Sequence, residues 1–146
     1  MAGKQNLEPL LNAQQNQLSL VLGDSNSIDA KALAILGANI AILIFVRQTN
    51  LDLPIWQLLV LYGPFGLSFV LDIISIWPRR YLGAVARLAE SDEYLSMDDE
   101  TLVLQLLADT EASITHNEKL NHQRLRYCLA SIGLTGLGFL ILLLIL

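Results

Sequence analysis

Residues 127–146 read YCLASIGLTGLGFLILLLIL, a run without a single charged side chain. A hydrocarbon core about 30 Å thick is crossed by about 20 helical residues rising about 1.5 Å each, so this run has the length of a membrane span. Two further uncharged blocks precede it, Ala32–Val46 and Leu53–Leu71. The later of these is long enough by itself, and the earlier becomes so by borrowing its flanks. Composition agrees. Of 146 residues 53% are hydrophobic and only 16% are charged, against about 25% charged in ordinary soluble domains. The chain reads as an all-α integral membrane protein with three transmembrane helices and a helical aqueous segment.

The flanking sequence divides the chain into four parts. In residues 1–27, Leu7, Leu10, Leu11, Leu18, Val21 and Leu22 recur at helical steps, which predicts a short amphipathic helix. Gly23 and Asp24-Ser25-Asn26-Ser27 then supply a stop, a turn and an N-cap, so a new helix is expected from near Ile28. From Met1 to Asn26 the only base is Lys4, unlike a cleaved secretion signal. Residues 28–77 form a transmembrane hairpin, because the connector Arg47–Asp52 is too short for anything but antiparallel spans. Pro54 suits a first helical turn, Pro64 predicts a kink, and Trp77-Pro78-Arg79-Arg80 closes the span with an interfacial aromatic, a breaker and two bases.

Residues 78–126 carry nine of the fourteen acids and six of the nine bases and form the aqueous segment. Arg79–Ala89 predicts a short amphipathic helix and Glu90–Tyr94 an acidic linker. Ser96 with Asp99 three residues on has capping-box spacing, which starts a helix near Met97. No breaker follows before Tyr127, so that helix is expected to continue into the third span, residues 127–146. Arg79, Arg80, Arg87, Lys119, Arg124 and Arg126 lie in this segment and only Arg47 in the short connector. Positive residues are retained inside, which places the N-terminus and residues 78–126 in the cytoplasm.

Several function classes fall away. A net charge of -5 supplies no basic surface for DNA or RNA. The single cysteine, Cys128, makes neither an internal disulfide nor a cysteine zinc site. His116 and His122 are six residues apart, not the three or four that put two ligands on one helix face, so no metal site is expected. No nucleophile–base pairing or glycine-rich phosphate loop stands out, and neither an enzyme nor a cofactor is expected.

The residues that remain informative are polar groups in or beside the spans. Asp72 is ionisable within a span, which is costly and calls for a partner or a water path. Lys31 enters the first span from the same edge, so an ion pair with Asp72 is one reading and a gate or pore lining the other. Asn39, near mid-span, either lines a pore or bonds between helices. Arg79, Arg80, Lys119, Arg124 and Arg126 cluster next to the membrane and suit either anionic headgroups or a small phosphate-bearing ligand.

At Asp29-Ala30-Lys31-Ala32-Leu33-Ala34-Ile35-Leu36-Gly37 the chain resembles the transmembrane effector domain of bacterial pyrimidine cyclase anti-phage (Pycsar) systems. Pro78-Arg79 after the second span, and a polar helix with Asn117 and Lys119 leading through Arg124-Leu125-Arg126 into the last span, extend the likeness over most of the chain. The resemblance implies an effector of the bacterial inner membrane that senses a cyclic mononucleotide, cyclic UMP or cyclic CMP. Its spans would assemble or open, impairing the membrane so that infected cells stop growing. Three spans do not enclose a pore alone, so a homo-oligomer in the lipid bilayer is expected, with a ligand site built from helices between subunits. The alternative is a structural or adaptor protein that recruits a partner through the Met97–Arg126 helix, with Leu102, Leu106, Ile114 and Leu120 as docking face.

Overall fold

The computed structural model describes residues 4–49, 53–83 and 98–145, with side chains from residue 9 onward. The described residues form three helices, α1 (Lys4–Gln48), α2 (Ile55–Ile76) and α3 (Asp99–Ile145), and no strand. All three are long and apolar enough to cross a membrane. At 45 and 47 residues, α1 and α3 each hold more than twice the number needed.

Buried positions explain why these helices associate. On α2 they are Leu61, Phe65, Ser68, Asp72 and Ser75, in steps of four and three. On α3 Leu107, Thr110, Ile114, Asn117, Asn121, Arg124, Cys128, Ser131, Thr135, Gly138 and Leu142 are buried or half-buried in the same alternation, with Asp109 and Ser113 buried beside it. On α1 it runs Leu18, Val21, Ser25, Ile28, Ala32, Ile35, Asn39, Ile42 and Val46. This is the seven-residue repeat of a coiled-coil seam, in which two positions per heptad face the partner helices. About half of the buried seam residues are polar.

Two compact units share α1 and α3. One comprises the chain up to Ser25 together with Arg79–Asn121, and the other comprises Asn26–Pro78 and His122–Leu146. The second unit holds α2 and the apolar parts of α1 and α3 as a three-helix bundle. Val46, Leu61, Phe65 and Leu142 form the core at one end. Asn39 meets Ser68, Asp72 and Thr135 in the middle, and Asp29, Ser75 and Arg124 meet at the other end. That order makes α2 antiparallel to both neighbours. Pro54 caps α2, its carbonyl accepting from the amides of Gln57 (2.9 Å) and Leu58 (3.2 Å), and the helix is continuous through Pro64.

The helix break expected between Gly23 and Ile28 does not occur, because α1 is continuous from Lys4 to Gln48. A glycine inside a helix costs about 1 kcal/mol relative to alanine, and the seam passes through this stretch in phase at Val21, Ser25 and Ile28. Ser25 is not an N-cap here. It is buried, and its hydroxyl donates to Tyr81 Oη at 2.9 Å. The amphipathic helix expected from Arg79 fails at its start, since residues 79–83 are not helical. Both backbone groups of Leu82 are taken by a side chain of α3: its amide donates to Asn117 Oδ1 (3.0 Å) and its carbonyl accepts from Asn117 Nδ2 (2.8 Å). The rest of that expected helix, the acidic linker and the Ser96 cap lie outside the described residues. Beyond them α3 is unbroken from Asp99 to Ile145.

Candidate functional site

The membrane-spanning unit holds two polar layers. The middle layer is supplied by Asn39 of α1, Ser68 and Asp72 of α2, and Ser131 and Thr135 of α3. Ser68 with Asp72 and Ser131 with Thr135 are each four apart, so each pair lies on one helix face. Asn39 Nδ2 donates to Ser68 Oγ (2.8 Å) and to Asp72 Oδ2 (3.3 Å). Thr135 Oγ1 donates to Asn39 Oδ1 at 2.9 Å. Ser131 Oγ donates to Asp72 Oδ1 at 2.6 Å. Ser68 Oγ lies 2.7 Å from Ser131 Oγ and 2.8 Å from Thr135 Oγ1, which closes the network. Asn39, Ser68, Asp72 and Ser131 are fully buried. In hydrocarbon an unmet polar group costs several kcal/mol, so a network shared by three helices fixes their register as well as their contact.

The end layer is organised by Arg124. Its guanidinium is buried, donates through Nε to the Ser75 carbonyl (2.7 Å), and is paired with the Asp29 carboxylate through Nη2. Ser75 Oγ donates in turn to the Arg124 carbonyl at 3.3 Å. One arginine thus ties all three helices together. A cavity of about 330 Å³ lies between α1 and α3, walled by Ile35, Ala38 and Ile42 on one side and Ile132, Gly136 and Phe139 on the other. Thr135 lines it too, while its hydroxyl is engaged by Asn39 and Ser68.

The other unit has its own polar chain. Ser25 donates to Tyr81 Oη, Tyr81 donates to Asn121 Oδ1 (2.9 Å), and Asn121 Nδ2 donates to the Val21 carbonyl (2.7 Å). With the Asn117 clamp on Leu82, this fastens residues 81–82 to α1 and α3 beside an apolar contact of Leu18, Val21 and Ile114. Arg79 at the head of this stretch is half-buried and Arg80 is exposed. Lys119 is exposed and lies two residues beyond the inward-facing Asn117, about 200° around the helix.

The five basic candidates therefore differ in setting. Arg79, Arg80 and Lys119 belong to one unit, and Arg124 and Arg126 to the other. Arg124 faces inward and is engaged by Asp29 and Ser75, whereas Arg126 is exposed. Asn39 and Asp72 come together, but no ion pair joins Lys31 to Asp72. Asp72 is met by Asn39 and Ser131, and Lys31 is exposed eight residues, about 12 Å of rise, before Asn39. His116 and His122 are exposed on α3. Ser68, Ser131 and Thr135 carry the network without having stood out in the sequence, and their signal was a hydroxyl pair at i, i+4 level with an intramembrane Asn and Asp. The docking stripe of the adaptor reading is largely covered, with Ile114 buried against Leu18 and Val21 of α1.

Residues 13–146 match the family model for the Pycsar effector protein domain. No curated protein and no solved structure matches the chain.

Proposed function

Because the chain belongs to the family of Pycsar transmembrane effectors, which act at the membrane in anti-phage defence, we propose that it is a cyclic-nucleotide-responsive effector that assembles in the bacterial inner membrane and impairs it. The observation that carries the mechanism is the filled interior of the bundle. Asn39, Ser68, Asp72, Ser131 and Thr135 occupy the centre where a conduction path through one chain would have to run. Loss of the barrier then requires several chains. Each helix supplies exposed apolar surface for that step, such as Ile40 and Phe45 on α1, Leu67 and Val70 on α2, and Ile132 and Phe139 on α3. In lipid such surfaces associate through packing and polar contacts.

The signal acts on the cytoplasmic part, residues 78–126. Arg79, Arg80, Lys119 and Arg126 are the candidate contacts for the single phosphate of cyclic UMP or cyclic CMP, contributed by more than one chain. Arg124 reaches a ligand only by leaving Asp29, so its release is the candidate trigger. In the middle layer, Asn39 and Asp72 are the candidate gate, with Lys31 outside it.

Direct binding tests this reading. Protein in lipid nanodiscs is dialysed against cyclic UMP, cyclic CMP, cyclic AMP and a cyclic dinucleotide, alongside Arg80→Ala, Lys119→Ala and Arg126→Ala. Saturable binding of one pyrimidine nucleotide, weakened about tenfold by at least one substitution, supports it, since a charge-assisted bond is worth about 1.5–3 kcal/mol. Equally weak binding of all four contradicts it.

A further inference from the structure

The middle layer holds a fully buried carboxyl group with no counter-charge among the described residues. Asp72 lies inside the membrane-spanning unit, and its hydrogen-bond partners among the described residues, Asn39 and Ser131, are neutral. The charged residues on the three helices of that unit are accounted for elsewhere. Asp29 is paired with Arg124, and Lys31, Arg47 and Arg126 are exposed. A charge in hydrocarbon is tolerated when something of opposite sign meets it.

Six side-chain oxygens take part in this network: both of Asp72, Asn39 Oδ1, Ser68 Oγ, Ser131 Oγ and Thr135 Oγ1. The backbone carbonyls of Ser131 and Ser68 are also within reach, at 3.1 and 3.4 Å from the facing serine hydroxyls. This is the donor set of a hard cation, all oxygen, drawn from side chains and main chain. Asn39 Nδ2 has only hydrogens to offer and points at Asp72 Oδ2, so that oxygen serves as an acceptor.

We propose that the Asn39–Ser68–Asp72–Ser131–Thr135 cluster binds one monovalent cation, sodium in preference to potassium. A single positive charge neutralises the single carboxylate, whereas a divalent ion leaves an uncompensated charge in the membrane. The oxygens lie 2.6–3.4 Å apart along the network. For a cation with oxygen ligands at about 2.4 Å, neighbouring oxygens at right angles are about 3.4 Å apart. The hydroxyls reach that spacing by turning their hydrogens outward and moving by less than about 1 Å, and a larger ion needs a wider opening. The bound ion draws α1, α2 and α3 onto one point and stabilises the closed bundle.

The test is thermal unfolding of the full chain in detergent micelles in sodium, lithium, potassium or choline chloride at equal ionic strength, with sodium-23 NMR line broadening measured in parallel. Sodium should raise the midpoint saturably, by about 3 °C or more over choline, and broaden the sodium line. Asp72→Asn, which keeps the shape and a hydrogen-bonding side chain, should remove both effects. Ser131→Ala, which keeps the carboxylate, should weaken them. Equal midpoints in all four salts with no broadening beyond that of Asp72→Asn overturn the proposal. So does stability that follows pH and ignores the cation, because the charge is then met by a proton. If Asp72→Asn does not fold, the Ser131→Ala titration and the wild-type salt series decide by the same criteria. No nucleotide enters the experiment, so its outcome is independent of the signalling role.

Discussion

Gly138 gives the sharpest prediction about packing. It lies on the α3 seam, and a Cβ placed there would sit 2.8, 2.9 and 3.1 Å from Cζ, Cε2 and Cε1 of Phe65. Carbon atoms rest at about 3.5–4.0 Å, so Gly138→Ala requires the ring to retreat by roughly 0.5–1 Å. Phe65 is fully buried among Val46, Leu61 and Leu142 and has little room to do so. Overpacking of this kind costs about 1–3 kcal/mol, and the helix propensity of alanine returns at most about 1 kcal/mol. The net expectation is a loss of about 1 kcal/mol. Gly136→Ala supplies the control, because a Cβ there meets nothing within 4 Å and only the propensity gain remains. The two variants should differ by about 1–3 kcal/mol when unfolded in mixed micelles with a rising fraction of denaturing detergent. Adding Phe65→Leu to Gly138→Ala should recover part of the loss. Equal stability of the two alanine variants would refute the close approach of α2 and α3.

Three further outcomes follow from the polar contacts. Arg124→Gln should destabilise the bundle by about 2 kcal/mol, a value held down because the Asp29 side chain is 36% exposed. In a double-mutant cycle with Asp29→Asn the losses should be less than additive, and strict additivity would mean that the pair is not formed. Asn117→Ala removes both bonds to the Leu82 backbone, so hydrogen exchange at the Leu82 amide should accelerate by roughly tenfold or more, one bond being worth about 1 kcal/mol; unchanged exchange would remove the clamp. Tyr81→Phe cuts the chain between Ser25 and Asn121 and should cost about 1 kcal/mol in detergent unfolding, with the Asn121 bond to Val21 intact.

The spans were readable from three uncharged blocks, because transfer into hydrocarbon is dominated by a length and a lack of charge that a sequence displays directly. The continuity of α3 was readable from the absence of a breaker. The seam was not, since a heptad is normally recognised by apolar residues, and here Ser25, Asn39, Ser68, Asp72, Ser75, Asn117, Asn121, Arg124 and Ser131 occupy many of its positions. That disguise made Gly23–Ser27 look like a turn. It also hid the fate of Arg79–Gly83, where local propensity favoured a helix and the Asn117 amide, 35 residues away from Leu82 in sequence, claims the backbone instead. Asn39 and Asp72 drew notice as single polar residues in a span, but besides each other their partners are hydroxyls, common enough in membrane helices to pass unremarked. Arg124 read as one of a juxtamembrane set. Its inward direction shows only once the seam is in phase.

Dye and ion release from liposomes carrying the purified protein, with cyclic UMP, cyclic CMP, cyclic AMP and cyclic dinucleotides added in turn, tests the gated-effector reading most directly. Release is expected on addition of one pyrimidine cyclic mononucleotide and retention with the others, with Arg80→Ala or Lys119→Ala losing the response while still inserting. Permeability unaffected by any nucleotide, in protein shown to be folded and inserted, contradicts that reading.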